Sequence, residues 1–163
     1  MRPNADQIQE NWSELQKVIE THFTGERLEK IKLLHEHFEE RMVLAPASGR
    51  AWYHNAFPGG YVAHVLNIIQ WSLSYYELFK AQGMYVDDIS AESVVFAAMF
   101  HDLGKIGNMD DDYYSPNTDE WRAKKLQEYY NHNPAIHYMT VTDRAIWILN
   151  QFNITMSESE YLG

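Results

Sequence analysis

The chain has 163 residues, 45% apolar and 22% charged, with a formal net charge of −10 and no cysteine. That length suits one domain with a sizeable core, and no apolar run approaches the ~20 residues a membrane span needs. Without cysteine, disulfides and thiolate metal sites are excluded, which leaves histidine and carboxylate as ligands; the acidic balance argues against a surface tracking a long nucleic-acid backbone and for a small substrate.

The opening "MRPNADQIQE" has no apolar signal core, and the absence of cysteine fits the expected cytoplasmic location. Asn4 and Gln7 stand at capping-box spacing before a helix predicted over residues 5–22, with Ile8, Trp12, Leu15 and Ile19 on one face. A second helix is expected from about Gly25 to Met42, with Leu28, Ile31, Leu34 and Phe38 inward and a charged, solvated face opposite. "APASGR" breaks it, and "AWYHNAFPGGY" reads as a loop. From Gly60 to Gln82 the pattern is helical again: Val62, Val65, Leu66, Ile69, Leu73, Tyr76 and Leu78 form a broad apolar face, and Gly83 is the stop. After a turn through "DDIS", Ser90 caps a helix predicted to run to about Asp102.

"GNMDDDYYSPNTDE" reads as a long solvated loop, including Tyr113, Tyr114 and Asp110–Asp112. Asn117 and Glu120 then fit a capping box for a helix to about Tyr130, followed by a loop, "NHNPAIHYMTV". Thr142 is the expected cap of a last full helix, Asp143 to Phe152, closed by Asn153. No strand is predicted, and most Trp and Tyr residues at helical spacing are assigned to the core. The expectation is a single all-α domain over 1–163 with about six or seven helices. In "TMSESEYLG", Ser157 and Glu160 have capping-box spacing with little helix to follow, which fits either a natural chain that continues or a frayed tail.

The stretch with chemistry is "AAMFHDLGKIG", residues 97–107. The apolar run from Val94 ends in His101 and Asp102, and burying an unpaired charge costs several kcal/mol, roughly. A bound metal ion is one way to offset that cost. His64 lies about one turn into the preceding helix, and helices joined by a short connection pack antiparallel, which brings His64 toward His101 and Asp102. The lengths do not match: His64 lies about 27 Å from its predicted helix end and His101 about 15 Å from its start, so the connection must run back or the boundaries must move. Ala97 and Ala98 permit close helix approach. Taken singly, each residue has a bland alternative: a hydrogen-bonded core histidine, or a loop-forming aspartate.

"GGYVAH" followed by "FHDLGKIG" resembles the HD superfamily of metal-dependent phosphohydrolases, over roughly residues 50–163. Within it the chain looks most similar to phage-borne HD proteins and to the HD domain of bacterial 3′–5′ exoribonucleases. The resemblance implies that His64, His101 and Asp102 hold a divalent metal (Mn, Mg, Fe, Co, Ni or Zn), with Asp102 able to bridge two ions. It implies phosphate contact by Lys105, whose other reading is a cation at a helix C-terminus, and substrate contact by Arg50 and His54, otherwise a surface arginine and a loop histidine. His132 and His137 become second-metal ligands, substrate contacts or exposed loop residues. The family's further metal aspartate is not placed; Asp143 reads better as a first-turn helix residue, and in similar proteins that aspartate follows a segment like "SESEYLG".

The expected function is hydrolysis of a small phosphate ester, a nucleotide or short oligonucleotide, by a metal-activated water. The alternatives are an HD-fold nucleotide- or metal-binding module without turnover, and an exonuclease, against which the net charge speaks. No membrane partner is expected.

Overall fold

The structure, a computed structural model, describes residues 2–84 and 89–162. It is predominantly helical: α1 (Ala5–His22), α2 (Gly25–Leu44), α3 (Gly60–Ala81), α4 (Ala91–Phe100), a 3-10 turn (Leu103–Ile106), β1 (Tyr114–Pro116), α5 (Glu120–Lys125), β2 (Tyr130–His132), α6 (Val141–Gln151) and α7 (Glu158–Leu162). No described helix is long and apolar enough to cross a membrane.

The stripes of α1 and α2 fold as expected. Asn4 and Gln7 form the reciprocal capping box, and Trp12, Leu15 and Ile19 face Ile31, Leu34, Phe38 and Met42 in one core with Val62, Val65 and Ile69 of α3. Val95, Phe96, Ala98, Met99 and Phe100 of α4 and Ala145, Ile148 and Leu149 of α6 complete it. Ser90 caps α4 and Gly83 follows the C-cap of α3, both as predicted. Residues 87 and 88 of the "DDIS" turn lie outside the described residues.

Several expectations need correction. α4 ends at Phe100, not Asp102, because the chain tightens into the 3-10 turn after His101. The predicted helix from Asn117 to Tyr130 is only Glu120–Lys125. Asp119 is its cap, while Asn117 accepts from the Asp119 amide and donates to the Glu128 carbonyl. The chain then turns through Gln127, at φ 50°, into a strand, so the expectation of no strand fails as well. β1 and β2 pair antiparallel with Tyr114 opposite His132 and Pro116 opposite Tyr130; three-residue strands are too short to show a period of two. Thr140, not Thr142, caps α6 by accepting from the Asp143 amide. On α3, Leu78 is exposed with Trp71, Tyr75 and Phe79, so those aromatic residues are not core.

Two contacts fix the site's surroundings. A Cβ at Gly104 would overlap the Val141 carbonyl oxygen, so α6 crosses directly over the 3-10 turn. Buried Arg144 of α6 donates to the carbonyls of His137 (3.0 Å) and Gly104 (3.4 Å), and its guanidinium lies 5.0 Å from the centre of the Tyr113 ring. Gly104→Ala is expected to force these backbones apart and cost about 1–3 kcal/mol, the usual range for overpacking, measurable as a lower urea midpoint.

α7 docks through charge. Its capping box forms: Ser157 N–H donates to Glu160 Oε2 at 2.9 Å, and Glu160 N–H donates to Ser157 Oγ at 3.3 Å. The buried Glu160 carboxylate also accepts from Arg27 Nη2 at 2.7 Å, while Arg27 Nη1 donates to Glu92 at 2.7 Å. Removing one member of a pair that stays buried costs roughly 3–5 kcal/mol. Here a five-residue helix can lift away and rehydrate Glu160 instead. Arg27→Ala is therefore expected to cost only about 1–2 kcal/mol overall, through local opening, with faster hydrogen exchange confined to residues 157–161.

Candidate metal centre

Three separate segments converge. His64 lies in the second turn of α3, whose start is set by Gly60: a Cβ there would overlap the Asn55 carbonyl oxygen, so the preceding turn packs directly on the helix. That turn carries His54 and is closed by Ser48 Oγ donating to the His54 carbonyl at 2.7 Å and by the Tyr53 amide donating to the Arg50 carbonyl at 3.0 Å. His101 and Asp102 follow α4, and the Lys105 amide donates to the Asp102 carbonyl at 2.9 Å, closing the 3-10 turn. The observed bounds of α3 and α4 leave the length mismatch in place, and residues 85–88 of the connection lie outside the described residues.

One carboxylate oxygen is the hub. Asp102 Oδ2 lies 2.6 Å from Lys105 Nζ, 3.3 Å from His64 Nε2 and 3.4 Å from His101 Nε2. The two Nε2 atoms are 3.1 Å apart. His101 Nδ1–H donates to the Ala98 carbonyl at 2.8 Å, so Nε2 faces the cluster, carrying a lone pair when the ring is neutral and donating to Asp102 when it is protonated; a fixed second nitrogen of this kind is how metal-ligating histidines are held in one tautomer. His54 completes the group: its ring lies 4.3 Å from that of His64, and ligand atoms of His54, His64 and Asp102 all lie within 4.8 Å of one another.

The electrostatics agree with the geometry. Burial opposes charge on Asp102, but donors on His101, His64 and Lys105 overrule it and hold the carboxyl well below the usual range. Burial pushes His101 down, yet the adjacent Asp102 carboxylate reverses this and the net shift is upward. His54 is shifted down, first by burial and then by the neighbouring charges of His64 and Lys105. Three imidazoles and one carboxylate form a donor set suited to a divalent transition metal; His54, His64 and Asp102 could hold such an ion, with His101 Nε2 beside them.

Tyr113, Tyr114 and His132 form an aromatic group, with ring centres 4.8 Å apart for Tyr113–Tyr114 and Tyr113–His132. Burial raises the Tyr113 and Tyr114 hydroxyls, and the negative Asp102 carboxylate adds to the shift on both. Arg50, His54, Lys105 and His132 all line one cavity of about 490 Å³ next to the cluster. His137 is not brought in: its side chain is exposed away from this cavity, and its carbonyl serves Arg144. Asp143 accepts from Thr140 Oγ at the start of α6, as its first-turn reading implies. Asp112 pairs with Arg41 on α2 and is not simply solvated.

Sequence reasoning places His54 with substrate, whereas the structure groups it with His64 and Asp102. Arg122 and Glu128, also lining the cavity, escape that reasoning; their only signal is that "WRAKKLQEYY" carries its charges where the chain leaves a helix. No protein family, curated protein or solved structure matches the chain.

Proposed function

We propose that the protein is a metal-dependent phosphohydrolase of HD type acting on a small phosphate ester, a nucleotide or short oligonucleotide. The observation that carries this reading is the convergence of His64, His101 and Lys105 on one oxygen of Asp102, with His54 alongside. A carboxylate ringed by imidazole nitrogens has a natural use as a cation site. A divalent ion bound there would lower the pKa of a bound water and supply hydroxide near neutral pH.

The chain's own residues supply the rest. The Ala98 carbonyl holds His101 in one tautomer. Lys105 keeps Asp102 ionised and lines both cavities that flank the cluster, placing positive charge where phosphate oxygens enter. Tyr113 and Tyr114 keep their protons and offer hydroxyl donors in a cavity that Lys105 also lines. The net charge of −10 supports a small substrate over extended nucleic acid.

The test is Mn²⁺ titration of the purified protein and of His64→Ala, with hydrolysis of a panel of nucleotides and bis(4-nitrophenyl) phosphate followed in parallel. Near-stoichiometric Mn²⁺ binding, lost in the variant together with hydrolysis, is expected. Equal metal binding or equal turnover in both proteins would overturn the reading. A second reading, a metal- or nucleotide-binding module without turnover, is favoured by the single carboxylate in the cluster. It predicts metal binding and ligand-dependent stabilisation with no hydrolysis of any compound in the panel.

A further inference from the structure

The cavity beside the candidate metal cluster has a second charged feature besides Lys105. Glu128 lies shortly before β2 and is 7% exposed. Its Oε2 accepts from Arg122 Nε at 2.8 Å and Nη2 at 2.7 Å, while its Oε1 lies 3.3 Å from Arg50 Nη2. Two guanidiniums thus share one carboxylate, and the group carries a net charge of +1. Both arginines keep about half of their side chains exposed, 46% for Arg50 and 50% for Arg122, and both line the cavity. Glu128 takes two N–H groups of Arg122 and the long contact from Arg50, out of five on each guanidinium. Most of the donor capacity is therefore left for something else.

The group is also rigid. Arg50 and Glu128 form a backbone bridge, supported by the Ala51 amide on the Gln127 carbonyl and the Tyr129 and Tyr130 amides on the Gly49 carbonyl, each at 3.0 Å. Arg50 and His54 are four residues apart on the turn closed by Ser48, so the arginine pair is tied to the metal cluster through a short, hydrogen-bonded segment. Lys105 and His132 share the cavity wall with them. In a protein of net charge −10, this concentrates positive charge in one concave site, which attracts and orients anions. A planar guanidinium held in place by a carboxylate is preorganised for bidentate phosphate binding.

We propose that Arg50 and Arg122, oriented by Glu128, bind a second phosphate of the substrate, separate from the one hydrolysed. The preferred substrate class is then a nucleotide with two phosphate groups. This rests on the reading of the metal cluster as the hydrolytic centre only for which phosphate is cleaved; the anion subsite itself needs no metal. Either a diphosphate chain or phosphates on two different sugar positions meets the same chemistry, and the experiment separates them.

Equilibrium binding of adenosine 5′-monophosphate, adenosine 5′-diphosphate and adenosine 3′,5′-bisphosphate is measured by calorimetry with metal chelated, on wild type, Arg122→Ala and Arg50→Ala. At least one doubly phosphorylated compound is expected to bind wild type about tenfold more tightly than the monophosphate, and which one does so identifies the phosphate arrangement. The preference is expected to collapse in both variants. A purely structural ion pair would lower the melting temperature without altering the preference. A wild type without a preference, or variants that retain it, would overturn the proposal. Mn²⁺ titration of the same variants is expected to match wild type, so a failed metal site and a failed anion subsite give different results.

Discussion

On the proposed function, Asp102→Asn is expected to abolish metal binding and, with it, hydrolysis, by a factor of about 10³ or more in turnover. The side chain keeps its size, so the fold is disturbed little. What changes is the hub: Oδ2 faces Lys105, His64 and His101 together, and an amide gives the cation no negative charge. Replacing a single oriented electrostatic group in an active site commonly costs about 10²–10³ in rate, and this variant removes the only carboxylate that the described residues bring to the cluster. Mn²⁺ titration and turnover of the same sample check it. Metal affinity should also rise with pH in the wild type, because a protonated imidazole cannot ligate and His101 holds its proton through its raised pKa. An Asp102→Asn protein that binds Mn²⁺ as wild type does would remove the basis for the proposed function.

The parts of this site that are legible in the sequence are those carried on long, strongly patterned helices. The apolar run before His101 and the helix start at Gly60 can be read because core burial imposes periodicity over many residues. The two helices pack against each other and bring His64 to His101, although their lengths alone do not dictate that register. His54, Arg50, Arg122, Glu128 and His132 come from a turn, a six-residue helix with the segment after it, and a three-residue strand. None of those is long enough to carry a period, and their placement is decided by backbone bonds between distant segments, such as the Tyr130 amide on the Gly49 carbonyl. The boundary errors share a cause. Thr140 and Thr142 both stand near the start of α6, and Asn117 and Asp119 both precede α5; capping chemistry alone does not choose between residues two apart. Tertiary contact does: the crossing of Val141 over Gly104 fixes where α6 begins, and the Asn117 bond to Glu128 draws Asn117 away from the helix.

His35 gives the largest expected effect away from the site. It is buried within the core, with its ring 6.0 Å from those of Trp12 and Phe100, and its Nδ1–H donates to the Ile31 carbonyl at 2.9 Å. Burial outweighs that bond and pushes its pKa from the ordinary 6.5 down to about 4. The folded state therefore resists a proton that the unfolded state accepts. Between pH 6.5 and 4 the unfolded chain binds more protons, so stability falls as pH falls across that window and the His35 contribution levels off below it. The loss is roughly 3 kcal/mol, because each tenfold difference in proton affinity between the folded and unfolded chain is worth about 1.4 kcal/mol.

His101 acts in the opposite direction. Its raised pKa gives the metal-free protein a contribution present below the unfolded value and lost as pH rises through the folded one. Asp102, shifted far down, contributes above the ordinary carboxylate range and loses that contribution only in stronger acid. The His35 component is isolated by difference. His35→Phe fits the aromatic surroundings and cannot take up a proton, so urea denaturation from about pH 7 to about pH 4 should show the variant losing roughly 3 kcal/mol less than wild type. It should be within about 1 kcal/mol of wild type at about pH 7, the size of one hydrogen bond, and more stable than wild type at the acid end. Parallel stability curves for the two proteins would mean that His35 takes up its proton without opening the core.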